Sequence, residues 1–398
     1  MKAVKNYKGN GGFRGLCPLT ILLILLLCGC SKRYSGSIRK NVVWRGKIKL
    51  TGDVVVERRG SLKILPGTKI FSSPKPENQV RYIREEAGGT FNILQNEKVE
   101  ILVEGNFEAL GTEEKPIVFE ENFGGMIFLA GTPSLKNVVV KNCPLPARFY
   151  GESEPKIESC VFENAEVAGI GFWDLSGGIV KNCLIKNARN GIGFADFSSP
   201  VILDSTITFS KMAGFFCEGN SAPVISGCKI SGNNVGVAGG DISKPFMKNS
   251  IITGNGAGIS LWIKGDAVIQ ENKISKNVSG VLLQDEAKAK IQRNVFEKNG
   301  SGISATKSSS IKVLKNSFKD NTYDIILRDS AKGKIRGNTF EKSNESIKVA
   351  EVSRADISSN SFLNVKNAVK LLNRVKVNLK ANRYLEVGEK IVDERVGR

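Results

Sequence analysis

"NSFKDN", residues 316–321, is the stretch whose reading decides the rest of this 398-residue chain. "NVFEKN" begins 22 residues before it at Asn294, "NTFEKS" 22 after it at Asn338, and "NSFLNV" and "NRYLEV" follow at Asn360 and Asn382. Toward the N-terminus the same position continues through Asn272, Asn249, Gly227, Asp204, Asn182, Ser159 and Asn137, in steps of 22 or 23 residues. Two positions later comes an apolar residue in most copies, among them Val139, Val161, Ile251, Ile274, Phe296, Phe318, Phe340, Phe362 and Tyr384. Eight to ten positions later comes Gly, an aliphatic residue, any residue and an apolar one: "GIGF" at Gly169 and Gly191, "GISL" at Gly258, "GVLL" at Gly280 and "GISA" at Gly302.

A fixed period in the twenties means stacked supersecondary units. Leucine-rich repeats share that length but carry a different leucine spacing. Here apolar and polar residues alternate in runs of three to five, broken by Asn and Gly, which gives about three short strands per repeat. Such a coil stacks on the one before it at about 4.8 Å, with its isoleucines and phenylalanines in ladders inside. Asn tolerates left-handed backbone and suits the bends. "NSFKDN" then reads as a bend plus one core rung.

This pattern resembles the right-handed parallel β-helix proteins, the pectin-lyase-like group, over roughly residues 40 to 390. The expected fold is all-β: a single-stranded right-handed parallel β-helix, or solenoid, with 22–23-residue coils. Residues 49–133 read as opening coils with a polar loop near 72–90, residues 134–388 as the regular coils, and residues 389–398 as a C-terminal tail. An open coil end exposes unpaired backbone and needs covering, a task assigned to residues 30–48.

Composition agrees with a folded β protein: 41% of residues are hydrophobic and 42 are glycine. There is no histidine, which removes the commonest general base and metal ligand. Residues 1–29 read as an address. Lys2, Lys5, Lys8 and Arg14 precede the apolar run "LTILLILLLCGC", which has the layout of a secretory signal. Leu27-Cys28-Gly29-Cys30 resembles the bacterial lipobox, which implies cleavage before Cys30 and lipidation of that cysteine. An uncleaved membrane anchor with incidental cysteines is the alternative. Ser31 after the cysteine implies outer-membrane sorting under the rule followed by well-studied Gram-negative bacteria. Cys160, Cys183 and Cys228 share one place in the repeat with Ser205 and Ser250, which suits buried thiols better than a disulfide framework.

Fold does not fix function, so the residues must. Polygalacturonase-like enzymes carry Asp-Asp and Gly-His-Gly and alginate-epimerase-like enzymes Asp-Pro-His-Asp; none of these occurs here. The Asp clusters on calcium and the Arg or Lys base of pectate-lyase-like enzymes leave little trace in a sequence. No His and four Met equip the chain poorly for copper. One constellation does recur: an acid five residues after the glycine position of the second signature, at Asp174, Asp196, Asp241, Asp285, Asp329 and Glu351. Trp173, Phe216 and Trp262 precede it, with the small residues Gly171, Gly193, Ala195, Ala238 and Ser260 between. Alternation puts Ile170 and Phe172 inside, so Trp173 is expected to face solvent. Aromatics above small residues make a platform for sugar rings, with Trp173, Phe216, Trp262, Asp174, Asp196 and Asp241 as its candidate ligand-binding residues. Asp174 and Asp196, one coil apart, have the spacing of paired glycosidase carboxylates or of one calcium ion; no cofactor is otherwise expected. Asx-turn chemistry explains the same row without a ligand.

The charge is uneven. Residues 151–269 hold 9 basic and 11 acidic side chains, whereas residues 270–398 hold 26 and 15. For a lipid-anchored exported protein this implies a basic surface for anionic polysaccharide or lipid headgroups. No reader motif points to nucleic acid. The leading expectation is a non-catalytic cell-envelope protein, lipid-anchored through Cys30 to the outer membrane, that binds glycan or another anionic envelope component. The alternatives are a lyase or hydrolase of acidic polysaccharide using Asp174 and Asp196, and a structural spacer.

Overall fold

The computed structural model describes residues 31–73, 83–86, 89–92, 98–120 and 122–396. The leader at 1–29 and the lipidation candidate Cys30 lie outside the described residues. Among the described residues all regular structure is β, wound as a parallel solenoid. One coil consists of Lys288–Gln292, Val295–Glu297 and Ser301–Ala305; the next of Ser310–Leu314, Ser317–Lys319 and Tyr323–Leu327. Each strand pairs parallel and in register with its counterpart 22 residues on. One stack forms a 15-stranded sheet. The other two merge into a 30-stranded sheet because Lys47–Val56 is long enough to pair with members of both. Every described pairing of the solenoid is made between Lys32 and Arg395, so a chain starting at Ser31 carries the whole of it.

Apolar ladders fill the centre. Phe296, Phe318, Phe340, Phe362 and Tyr384 stack at ring-centroid distances of 4.7, 5.0, 4.9 and 5.2 Å. A second aromatic ladder runs through Phe128, Phe149, Phe172, Phe194 and Phe215. Cys143, Cys160, Cys183, Cys217 and Cys228 are free and buried, as the shared repeat position implied for Cys160, Cys183 and Cys228. Burial pushes the Cys143 thiol up to about 12 and that of Cys228 to about 11.

Three corners close each coil, and each is turned by one residue in the left-handed region. In successive coils these are Arg293, Lys298 and Lys307 (φ 55°, 56° and 54°), then Lys315, Asp320 and Asp329 (55°, 54° and 60°). Here the reading of the Asn repeat needs correcting. Asn137, Ser159, Asn182, Asp204, Gly227 and Asn249 do sit on the corner, with φ between 47° and 67°. From the next coil onward Glu271, Arg293, Lys315, Gly337, Ser359 and Ala381 hold that corner, and the asparagine stands one residue later. Asn272 is thus aligned with Ser250, whose N–H donates to its Oδ1 at 3.0 Å. Asn272, Asn294, Asn316, Asn338 and Asn360 are buried. They form a ladder in which each side chain accepts from the backbone N–H and the amide of the asparagine before it. Cys160, Cys183, Ser205, Cys228 and Ser250 occupy the same column in earlier coils, where Ser205 and Ser250 accept from the cysteine N–H groups below. A second ladder joins Asn233, Asn255, Asn277, Asn299 and Asn321. These amides satisfy buried corner N–H groups that the strand ladder cannot reach.

The ends differ from expectation. Residues 32–44, expected to cap the solenoid, are its first rung: Lys32–Ile38 pairs parallel with Lys47–Val56, and Asn41–Trp44 with Ser61–Ile64. Within the polar loop, Ile83–Glu86 and Gly89–Asn92 pair antiparallel as a hairpin. Glu389–Arg395, expected as part of a tail, is a strand on Asn367–Asn373. Backbone alternation continues to both limits and extends the sheets instead of stopping them.

Candidate functional site

The stack that contains Ala168–Phe172, Asn190–Phe194, Ala213–Cys217, Val235–Gly239 and Ala257–Leu261 positions the aromatic and acidic residues. Its Gly-Ile signature has a steric cause. A Cβ at Gly191 would fall 2.3 Å from the Gly214 carbonyl oxygen and 2.5 Å from Ile207 Cγ2, so only glycine lets this strand pack closely on the next coil. Beyond the glycine the chain alternates. Ile170, Phe172, Ile192, Phe194 and Phe215 enter the core. Gly171, Gly193, Phe216, Ala238 and Ser260 form one outward column in register.

The next column is Trp173, Ala195, Glu218, Gly240 and Trp262, linked rung to rung by the backbone ladder. The two tryptophans are four rungs, roughly 19 Å, apart. Trp173 is half-buried rather than facing solvent freely, because its ring folds back over Gly171. A Cβ on that glycine would come within 2.1 Å of the indole. The ring also stacks on Tyr150, with centroids 5.1 Å apart and planes 15° apart. Trp262 likewise covers Gly240 and leans on Phe216 at 6.3 Å. Between these aromatic pairs Gly193 leaves open space. The product is a shelf with an aromatic step at each end and a floor of Ala195, Glu218 and Gly193.

Beside the shelf runs the acid row. Asp174, Asp196, Asp241, Asp285, Asp329 and Glu351 all have φ between 50° and 60°, so each turns a corner. Each carboxylate also accepts from the N–H of the corner residue one coil earlier. Asp174 accepts from Gly151 at 2.8 Å, Asp196 from Asp174 at 3.1 Å, and Asp241 from Gly219 at 3.0 Å. Asp285, Asp329 and Glu351 accept from Ile263, Lys307 and Asp329. Gly219, Ile263 and Lys307 occupy the corner in the intervening coils, which separates most of the acids by a full rung. Lys307 Nζ lies 2.6 Å from Asp285 and holds its carboxyl below the usual range. Asp174 and Asp196 are neighbours, as expected, but each carries a structural bond. Among the described residues no three His, Cys, Asp or Glu side chains cluster as a metal site.

Two shelf residues were not singled out from the sequence. Tyr150 precedes Trp173 by 23 residues, so carrying the column back by one coil would have found it. Glu218 has no repeat signal. It is exposed, and partial desolvation, followed by the charge of Asp241, raises its carboxyl above the ordinary value. Carrying the Gly171 column back by one coil finds Arg148, which is buried and ion-paired with the buried Glu100, whose N–H donates to Asp53 at 2.9 Å.

The family profile for the right-handed β-helix region matches residues 115–243, 168–318 and 257–390. Among solved structures the chain is similar to the A-module of a mannuronan C-5 epimerase from Azotobacter vinelandii, at 13% identity over 88% of this chain and 91% of that one, with a TM-score of 0.41. It is also similar to a pectate lyase, at 13% identity over 60% and 68% with a TM-score of 0.34. A surface protein and adhesin of Streptococcus pneumoniae matches at 14% identity over 89% and 91% with a TM-score of 0.32. No curated protein matches the chain in sequence.

Proposed function

The chain belongs to the right-handed β-helix family, and we propose that this member is a non-catalytic cell-envelope protein, lipid-anchored through Cys30 to the outer membrane, that holds a linear glycan along the shelf between Trp173 and Trp262. The observation that carries the reading is the pair of half-buried aromatic steps on glycine supports, Trp173 over Gly171 and Trp262 over Gly240. With one face of Trp173 stacked on Tyr150, the other is left to offer a sugar ring, and a straight array of rungs suits a straight polymer. The acids beside the shelf are occupied in fixing corners, which fits holding better than proton transfer. Binding to a glycan array by the chain from Ser31 onward tests this. Trp173→Ala and Trp262→Ala should each weaken binding at least tenfold with the fold intact, and unchanged binding would refute the shelf.

A second reading, a polysaccharide hydrolase or lyase, draws on Glu218. A carboxyl raised by desolvation and by a neighbouring Asp241 charge is what a general acid requires. Turnover of a glycan that Glu218→Gln abolishes, with binding kept, would favour it over the holding role. Loss of activity on Asp174→Asn and Asp196→Asn would favour the original pair instead.

A further inference from the structure

The basic surplus of the C-terminal coils is concentrated on one face. The last five strands of the 15-stranded sheet are Lys288–Gln292, Ser310–Leu314, Lys332–Arg336, Arg354–Ser358 and Lys376–Lys380. They pair without a register shift, so their outward residues form three straight columns. The first column carries Lys288, Lys332, Arg354 and Lys376 around Ser310. The second carries Lys290, Lys312 and Lys334, then Asp356 and Asn378. The third contributes Arg336 and Lys380. All nine cations are exposed, and Asp356 is the one acid among the fifteen outward positions.

Among the described residues none of the nine lies within ion-pair distance of a carboxylate, whereas several basic residues on the other faces of the same coils do. Lys273 pairs with Glu297, Arg293 with Glu271, Lys307 with Asp285, Lys319 with Glu341 and Lys370 with Glu394. Stacked lysines repel: Lys290, Lys312 and Lys334 lie directly above one another at about 4.8 Å, well inside the Debye length. The chain thus keeps on this face an arrangement that costs stability until an anion covers it.

We propose that this face docks flat on an anionic phospholipid surface. Five rungs by three columns span roughly 19 by 13 Å, a plane of charge that matches a plane of headgroups. A linear polyanion would neutralise one column and leave the others repelling. The outward positions hold no aromatic residue on which a sugar or base could stack, unlike the Trp173–Trp262 shelf on a different stack of strands. The inference does not rest on the glycan reading.

Sedimentation of the chain from Ser31 onward with vesicles of phosphatidylcholine, with and without 30 mol% phosphatidylglycerol, tests it. Binding should require the anionic lipid. Attraction to such a surface is about fivefold per basic residue, so the variant Lys332→Gln, Lys334→Gln, Arg354→Gln and Lys376→Gln should lose several-hundredfold in partitioning. A control removing the same charge from paired positions, Lys273→Gln, Arg293→Gln, Lys319→Gln and Lys370→Gln, should lose threefold or less. Absence of binding to anionic vesicles, or equal losses in the two variants, would overturn the proposal. So would inorganic polyphosphate that binds the same face more tightly per charge than the vesicle does.

Discussion

Asn316 is where the solenoid can be broken with one amide. Its side chain makes four hydrogen bonds while only 3% exposed. Oδ1 accepts from the Asn294 backbone N–H at 2.9 Å and from Asn294 Nδ2 at 3.0 Å. Nδ2 donates to the Ile291 carbonyl at 2.9 Å and to Asn338 Oδ1 at 3.0 Å. Asn316→Ala takes the acceptor from a buried N–H, which costs about 1–3 kcal/mol. The other three bonds add less than their sum, since Asn294 Nδ2 keeps the Ile269 and Gln292 carbonyls. The total is about 3–5 kcal/mol. Asn316→Ser should cost only about 1–2 kcal/mol, because a hydroxyl can still accept, as Ser250 does from the Cys228 N–H at 3.1 Å. Asn316→Asp should be the worst of the three: it keeps the acceptor but turns the donor into an oxygen facing the Ile291 carbonyl and Asn338 Oδ1. Guanidinium unfolding ranks the variants, and hydrogen exchange of the Asn294 amide reports the local bond, which matters because long solenoids unfold less cooperatively than small domains. A cost below about 1 kcal/mol for the alanine, or an aspartate as mild as the serine, would refute the ladder as a source of stability.

Ile263 holds a φ of 58° at a corner that unbranched residues or glycine fill in other coils, among them Gly219, Asp241, Asp285 and Lys307; Ile263→Gly should stabilise by about 1 kcal/mol, read as a higher melting temperature, since a β-branched residue is strained there. Asp324 is fully buried, its Oδ1 accepting from Asn321 and Ser343, and burial raises its carboxyl to about 7. Because the folded state then holds the proton more tightly than the unfolded one, stability should fall as pH rises from about 4 to about 7 and level off above that. Asp324→Asn should remove about 2–4 kcal/mol of that fall and be the more stable form at pH 8; a less stable variant at pH 8 would contradict this. The five cysteines of the chain from Ser31 onward should resist a thiol reagent until the protein unfolds, given their burial, which also raises the thiols of Cys143, Cys160, Cys217 and Cys228.

The period of the fold was plain in the sequence because a 22-residue register repeats the same inward positions, so Phe296, Phe318, Phe340 and Phe362 announce a ladder without any structure. The role of Asn316 was not, because corner and ladder are adjacent residues and both favour asparagine; only the change from Asn249 to Glu271 on the corner separates them. Alternation predicted the side of the sheet for Trp173 but not its posture, which depends on Gly171 in its own strand and Tyr150 one coil below. The acid row was visible, and its turn chemistry was the simpler of the two readings given for it. Counting charges located the basic surplus in the right coils but could not say that the cations on the last five strands of one sheet stand unpaired while Lys273, Lys319 and Lys370 beside them have carboxylates.

Tryptophan fluorescence offers the most direct test of the shelf. Of the chain's three tryptophans, Trp44 is fully buried, so a ligand-induced change reports Trp173 and Trp262. Titration with a panel of linear glycans, followed by size analysis of the glycan recovered, should give a saturable change that Trp173→Ala and Trp262→Ala each diminish, with the polymer returned at its original length. A shortened or unsaturated polymer, or a fluorescence response that survives both substitutions together, would contradict the account.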